Sequence, residues 1–216
     1  MQSGASRRTL GLGFHADYGF SIFAPTNQRK LEKPLVNVAL SWHLLDWMPD
    51  ETWTRKTLPK ILDLGLKPYD LRRSVYVIRL NGDYCIDYPL GESPTLYIGE
   101  GTFSQRINAH RTWVSELRDL VGDFSFQVRI AIPRVRNNVD AYLDCEAALI
   151  ERFSKKFGTA PLWNKQQESR RNNYKYNQKQ MDQAICKGSG AKYKWAIRPM
   201  KSSPFHRNFL RTHVEA

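Results

Sequence analysis

What most constrains this chain is a change of hydrophobic period between Ser74 and Gly158. Ser74 to Leu80 (SVYVIRL) is dense in β-branched and aromatic residues and gives way to Asn81-Gly82-Asp83, a turn signal. Thr95 to Gly99 (TLYIG) is a second short run of the same kind, closed by Gly99 and Gly101. Across Phe103 to Val121 the spacing becomes helical. Ile107, Val114, Leu117 and Val121 recur on one stripe, and Gly122 stands where a C-terminal cap belongs. Phe124 to Ile132 (FSFQVRIAI) returns to period two, and Pro133 ends it.

Asn137, Asn138 and Asp140 offer cap side chains for a second helix, from Val139 to Phe157. Leu143, Ala147, Ile150 and Phe157 face inward in this register, and Gly158 closes the helix. The order strand, strand, helix, strand, helix predicts an α+β fold with a small, mainly antiparallel three-stranded sheet flanked by helices. The 14 residues from Asn81 to Pro94 are long for a hairpin loop and are expected to be surface-exposed.

Three segments follow from this pattern: an N-terminal extension (1–72), the patterned core (73–168) and a C-terminal extension (169–216). In the first, Trp42, Trp47 and Trp53 lie among leucines with Pro49 and Pro59 as breakers, which predicts one or two short helices. They would pack on the core or on a second subunit, making this region a candidate homodimer surface. The last segment is polar, basic and weakly periodic. No internal repeat is evident.

The net charge of +12 is uneven. Residues 164–216 carry 12 Lys/Arg against 3 Asp/Glu, whereas residues 73–163 are balanced at 11 against 11. A neutral core with a basic appendage is the footprint of a polyanion binder, although a solvated basic tail has the same composition. Cys85, Cys145 and Cys186 are far apart with no CxxC pair, so no structural zinc is expected. The odd cysteine count, the lack of a signal-like apolar run and the lack of any membrane-length stretch predict an intracellular, cytoplasmic protein with no membrane partner.

Chemistry-bearing residues fall within the patterned core. Arg106 and His110 are spaced i, i+4 and so share one face of the first helix, as many surface pairs do. Glu146 lies inside the stripe that should be buried, three residues after Leu143 and four before Ile150. A carboxylate there is costly unless it pairs with a cation, which a salt bridge to Arg106 or a metal ion would satisfy. Asn164 follows Pro161-Leu162-Trp163, where it can turn back toward the same place.

Together these residues resemble the GIY-YIG nuclease family. Ser74-Val75-Tyr76 is similar to the GIY element, and Tyr97-Ile98-Gly99 is the YIG element unchanged. Arg106 and His110 follow on the next helix, Glu146 in the second helix, and Asn164 after it. The likeness covers about Arg73 to Glu168, under half the chain. Ser74 replaces the usual first glycine, Glu100 stands where lysine or another small or polar residue is common, and the interval from Gly99 to Arg106 is about one residue short.

The resemblance implies a DNA endonuclease with Tyr76, Tyr97, Arg106, His110, Glu146 and Asn164 at its site. It further implies that Glu146 binds one Mg²⁺, with Mn²⁺ able to substitute, and that Tyr76 positions or deprotonates the attacking water. In the basic extension Arg170, Arg171, Lys175, Lys179, Lys192 and Lys194 alternate with Tyr174 and Tyr176, which suits phosphate contact with base stacking. A free-standing domain with modest extensions is similar to the family's restriction enzymes acting on double-stranded DNA. Structure-specific or repair, homing and phage host-degrading nucleases are the alternatives, followed by a non-catalytic nucleic-acid binder.

Overall fold

The structure is a computed structural model that describes residues 36–81, 84–121, 125–165, 168–188 and 195–197. The elements in chain order are β1 (Val36–Val38), β2 (His43–Trp47), α1 (Leu58–Asp63), β3 (Ser74–Leu80), β4 (Tyr84–Tyr88), β5 (Gly91–Ser93) and β6 (Thr95–Gly101). They continue with α2 (Phe103–Val121), β7 (Phe126–Ala131), α3 (Ala141–Phe157), β8 (Tyr174–Tyr176), α4 (Gln178–Ile185) and β9 (Trp195–Ile197). The fold is α+β. Among the described residues no helix is long and apolar enough to cross a membrane.

The strand–strand–helix–strand–helix order read from the sequence appears as β3, β6, α2, β7 and α3. The principal sheet has the order β2-β7-β3-β6 and is antiparallel throughout. All seven residues of β3 are buried, as expected of a central strand covered on both faces. Gly158 takes φ 80° and closes α3 in the left-handed cap conformation, sending its N–H back to the Ser154 carbonyl. Asp140 stands at the N-terminal cap of α3 without a capping bond from its side chain. Instead, Asn138 Oδ1 accepts the Asp140 N–H at 2.9 Å.

Several expectations are corrected. The sheet has four strands rather than three, because β2 comes from the region expected to be helical and pairs with β7 from His43↔Ile130 to Trp47↔Phe126. Leu45 and Trp47 point inward while Leu44 and Asp46 are exposed, so period two wins over the leucine-rich composition. The tryptophans pack on the core. Trp47 is buried beside Phe126, Trp53 meets Phe103, and Trp42 Nε1 donates to the Gln180 carbonyl at 2.7 Å.

The expected exposed loop 81–94 instead contains β4 and β5, with Cys85, Ile86 and Tyr88 in the core. In the second helix Leu143 is only half-buried, while Asp144, Cys145 and Leu149 are fully enclosed.

The C-terminal segment is also part of the packed structure as far as α4. Met181, Ala184 and Ile185 are buried, and β8 pairs in parallel with β1. Buried Arg79 of β3 donates to the carbonyls of Gln183, Ala184 and Cys186, placing a cation at the negative end of α4. Contacts thus run across 72/73 through the pairing of β2 with β7, and across 168/169 through the bonds of Arg79 to the end of α4.

Candidate functional site

The site grows from the pairing of β3 with β6. Tyr76 lies opposite Gly99, and Ile78 opposite Tyr97, so the two phenols project from the same face. Gly99 is required by space. A Cβ there would come within 2.6 Å of Tyr76 Oη and 2.7 Å of its Cζ, and would also overlap the Tyr97 ring. The two tyrosine rings lean over the glycine backbone with centroids 6.1 Å apart. Ser74, in place of a glycine, is fully buried and donates its hydroxyl to the Gly101 carbonyl at 3.0 Å, fastening the two strands.

A sharp turn then starts α2. Gly101 takes φ 101°, a conformation costly for any residue with a Cβ. The Thr102 carbonyl accepts from Gln105 N at 3.0 Å and Arg106 N at 3.1 Å. The short interval before Arg106 therefore leads straight from strand to helix. It delivers Arg106 Nη2 to the phenol oxygen of Tyr97 at 3.0 Å.

One turn further on, His110 is buried between the same rings, 4.4 Å from the Tyr97 centroid. Its Nε2 lies 2.8 Å from Tyr76 Oη, and Trp113 Nε1 lies 3.0 Å from its Nδ1. An indole N–H can only donate, so Nδ1 is the acceptor and the imidazole proton resides on Nε2. His110 accordingly donates to Tyr76. Burial and the positive charge of Arg106 push the imidazole pKa down to about 4, which keeps this neutral tautomer at physiological pH.

The phenol of Tyr76 has its own proton left to give, with Tyr97 as the neighbouring oxygen. Tyr76 is fully enclosed, and burial raises its pKa far above the ordinary phenol value despite Arg106. Tyr97 is also raised by burial, but it is only half-buried and accepts from Arg106. Of the two phenols, Tyr97 is the one that reaches the surface.

Glu146 enters from α3. It is 8% exposed, and its carboxylate makes no hydrogen bond or ion pair with any described residue. Burial first, then the charges of Glu100 and Glu168, push its pKa up to about 8, while Arg106 acts in the opposite direction. Its charge bears on both phenols, and that of Arg106 bears on it. A salt bridge to Arg106, one of the two sequence readings, is not formed. A largely buried carboxylate without a protein donor, raised by burial and then by neighbouring anions, is one that an oxygen-seeking divalent cation would stabilise. Among the described residues no three His, Cys, Asp or Glu side chains form a metal-binding group.

Asn164 is close by but holds backbone. Its Oδ1 accepts from Ile98 N at 2.9 Å and its Nδ2 donates to Ile98 O at 2.7 Å, so its amide pairs with the outer edge of β6. Trp163, whose backbone N–H donates to the Leu96 carbonyl, stacks on Trp113 with centroids 4.9 Å apart. Sequence reasoning missed Trp113. Its only visible signal is a position three residues after His110, one helical turn along, which by itself says nothing about hydrogen bonding.

The C-terminal candidates do not gather here. Tyr174 and Tyr176 are 8% exposed and face the core, because β8 alternates and turns Lys175 outward between them. They are not available as stacking platforms. Arg170 is ion-paired with Glu151. The backbone N–H groups of Arg171 and Asn172 bind the buried Asp144 carboxylate, leaving the Arg171 side chain exposed. Lys175 and Lys179 are exposed, and Lys192 and Lys194 lie outside the described residues. Neither protein-family models, nor curated proteins, nor solved structures provide a match to this chain.

Proposed function

We propose that this chain is a divalent-cation-dependent DNA endonuclease whose core is GIY-YIG-like, built on β3, β6, α2, β7 and α3. The observation that carries this reading is a largely buried carboxylate without a hydrogen-bond partner, Glu146, whose charge is felt by Tyr76 and Tyr97 in a network with Arg106 and His110. Phosphodiester hydrolysis requires a positioned water, neutralised phosphoryl oxygens and a stabilised leaving oxygen. Mg²⁺ held by Glu146, or Mn²⁺ in its place, would supply charge neutralisation at the phosphate and the departing 3′ oxygen.

The remaining work falls to the chain's own groups. Arg106 offers a planar fork of donors suited to a phosphate oxygen, with one N–H already turned to Tyr97. Tyr97, the phenol at the surface, is placed to hold the attacking water, a role the family resemblance alone gives to Tyr76. Tyr76 and His110 act behind it by fixing the direction of the hydrogen bonds. A protonated phenol at neutral pH orients water rather than taking its proton, unless substrate and cation together lower its pKa.

The more specific form of the proposal is a restriction-type enzyme acting on double-stranded DNA as a homodimer, because one site cuts one strand. Incubation with plasmid, branched and single-stranded DNA, with and without Mg²⁺, followed by end sequencing, tests it. Discrete plasmid fragments with fixed ends are expected. Cutting confined to junctions would exclude the restriction form.

A further inference from the structure

Beside the candidate site is a second feature that the sequence did not announce. The turn Asp70–Arg73 before β3 and the loop joining β7 to α3 enclose a cleft of about 600 Å³. Its walls include Tyr69, Arg72, Arg73, Arg134, Asn138 and Val139. Arg72, Arg73 and Arg134 are exposed, and the only carboxylate in the lining, Asp70, is ion-paired with Arg134 at 2.7 Å. Tyr69 is 72% exposed, with the Arg72 guanidinium 5.7 Å from its ring centroid.

One wall is held rigidly. Asn137 adopts φ 63°, Val135 and Asn138 bridge across the loop, and the Asn138 amide donates to the hydroxyl of Tyr174 at 2.5 Å. Tyr174 therefore serves this loop instead of stacking on a base. The cleft contains none of the candidate catalytic residues, yet it adjoins them. Arg73 directly precedes β3 and stands three residues before Tyr76, about 10 Å along the strand, and Ile132 of the lining directly follows β7.

We propose that this cleft seats the sugar–phosphate backbone of duplex DNA alongside the phosphate to be cut. The inference rests on the endonuclease reading for its second half, the register with the cut, but not for binding itself. Three exposed guanidiniums with one compensating carboxylate give a net positive wall, complementary to a phosphodiester chain. The exposed Tyr69 face and Val139 offer apolar surface to sugars. A preformed wall binds without paying for loop ordering.

The test is binding of a fluorescent 30-base-pair DNA duplex to the full chain in EDTA, over a range of salt. Arg72→Ala with Arg73→Ala should weaken binding about tenfold or more near 0.1 M salt. It should also make the log–log salt slope shallower by about 2, since each phosphate contact contributes about 0.9. Arg72→Lys with Arg73→Lys should recover most of the slope. Both positions are exposed, so thermal melting should stay at the wild-type value.

Affinity and slope unchanged in the double alanine variant would overturn the proposal, as would a wild-type chain that binds no duplex. Mg²⁺-dependent cleavage is scored separately with Glu146→Gln. Loss of binding on altering the cleft, in a chain that never cuts DNA, would keep the cleft and remove the nuclease. Cutting by a chain whose cleft variants bind normally would do the reverse.

Discussion

Trp113 donates its indole N–H to Nδ1 of His110 at 3.0 Å, and that one bond sets the direction of the network beyond it. With Nδ1 occupied, Nε2 carries the proton and donates to Tyr76, whose hydroxyl proton is then free to turn toward Tyr97. Trp113→Phe keeps a ring against Trp163 but removes the donor. DNA cleavage should fall about tenfold, corresponding to roughly 1.4 kcal/mol of lost orientation. The ¹⁵N shifts of His110 should change from a single Nε2–H tautomer to a mixture. An unchanged nitrogen spectrum would show that the indole does not control the ring.

The two phenols should not be equivalent. Tyr97→Phe removes the surface hydroxyl and the Arg106 contact, and cleavage should fall by about a hundredfold with little loss of stability. Tyr76→Phe strands the His110 Nε2 donor in the interior, so it should lower folding stability by about 1 to 3 kcal/mol as well as slowing cleavage. Paired measurements of rate and chemical denaturation check the split. Equal stability losses would show that the two hydroxyls are equally committed to the fold.

His110 gives a pH signature. Its pKa falls from an unfolded value of about 6.5 to about 4 in the folded chain. The unfolded state therefore binds the proton more readily between these values, and stability is full above 6.5 and lost as pH falls toward 4. The loss amounts to as much as about 3 kcal/mol. Glu146 has the opposite sign, because its raised pKa removes stability as pH rises from the ordinary carboxylate range to about 8. Comparing denaturation of wild type and His110→Gln from pH 4 to 7 isolates the histidine part. A wild-type slope identical to that of the variant would count against a buried neutral imidazole.

Gly99→Ala tests the close approach of the rings. The added methyl overlaps both phenols, so one must move by tenths of an ångström or more. Cleavage should drop at least tenfold, and stability should fall by about 1 to 3 kcal/mol, as overpacking usually costs. Wild-type rates in this variant would mean that the two rings do not lie over the glycine during turnover.

Much of this was legible because local pattern and tertiary role coincide. The stripe Ile107, Val114, Leu117 is buried as its spacing requires, and β3 runs over the same seven residues that its composition marks. Failures came where the two diverge. His43–Trp47 alternates over only five residues, too few for period two to stand out against leucine and tryptophan. Tyr84–Tyr88 is flanked by Asn81-Gly82 and Pro89, so turn signals hid a strand whose inward residues are plain only from burial.

Basic and aromatic residues in the C-terminal segment suggested an open binding arm, but a three-residue strand buries both tyrosines. The cleft of Arg72, Arg73 and Arg134 was invisible because its walls are some sixty residues apart in sequence and meet only through pairing of β3 with β7.

Cutting of supercoiled plasmid by wild type and Glu146→Gln, each with Mg²⁺ and with EDTA, tests the central claim most directly. Wild type should nick or linearise the plasmid only with the cation. Glu146→Gln should be slower by at least a hundredfold while melting no lower than wild type in EDTA, because burial already holds this carboxyl group toward its neutral form and no described residue pairs with it. Intact plasmid with wild type under every condition, or wild-type cutting by Glu146→Gln, would contradict the claim.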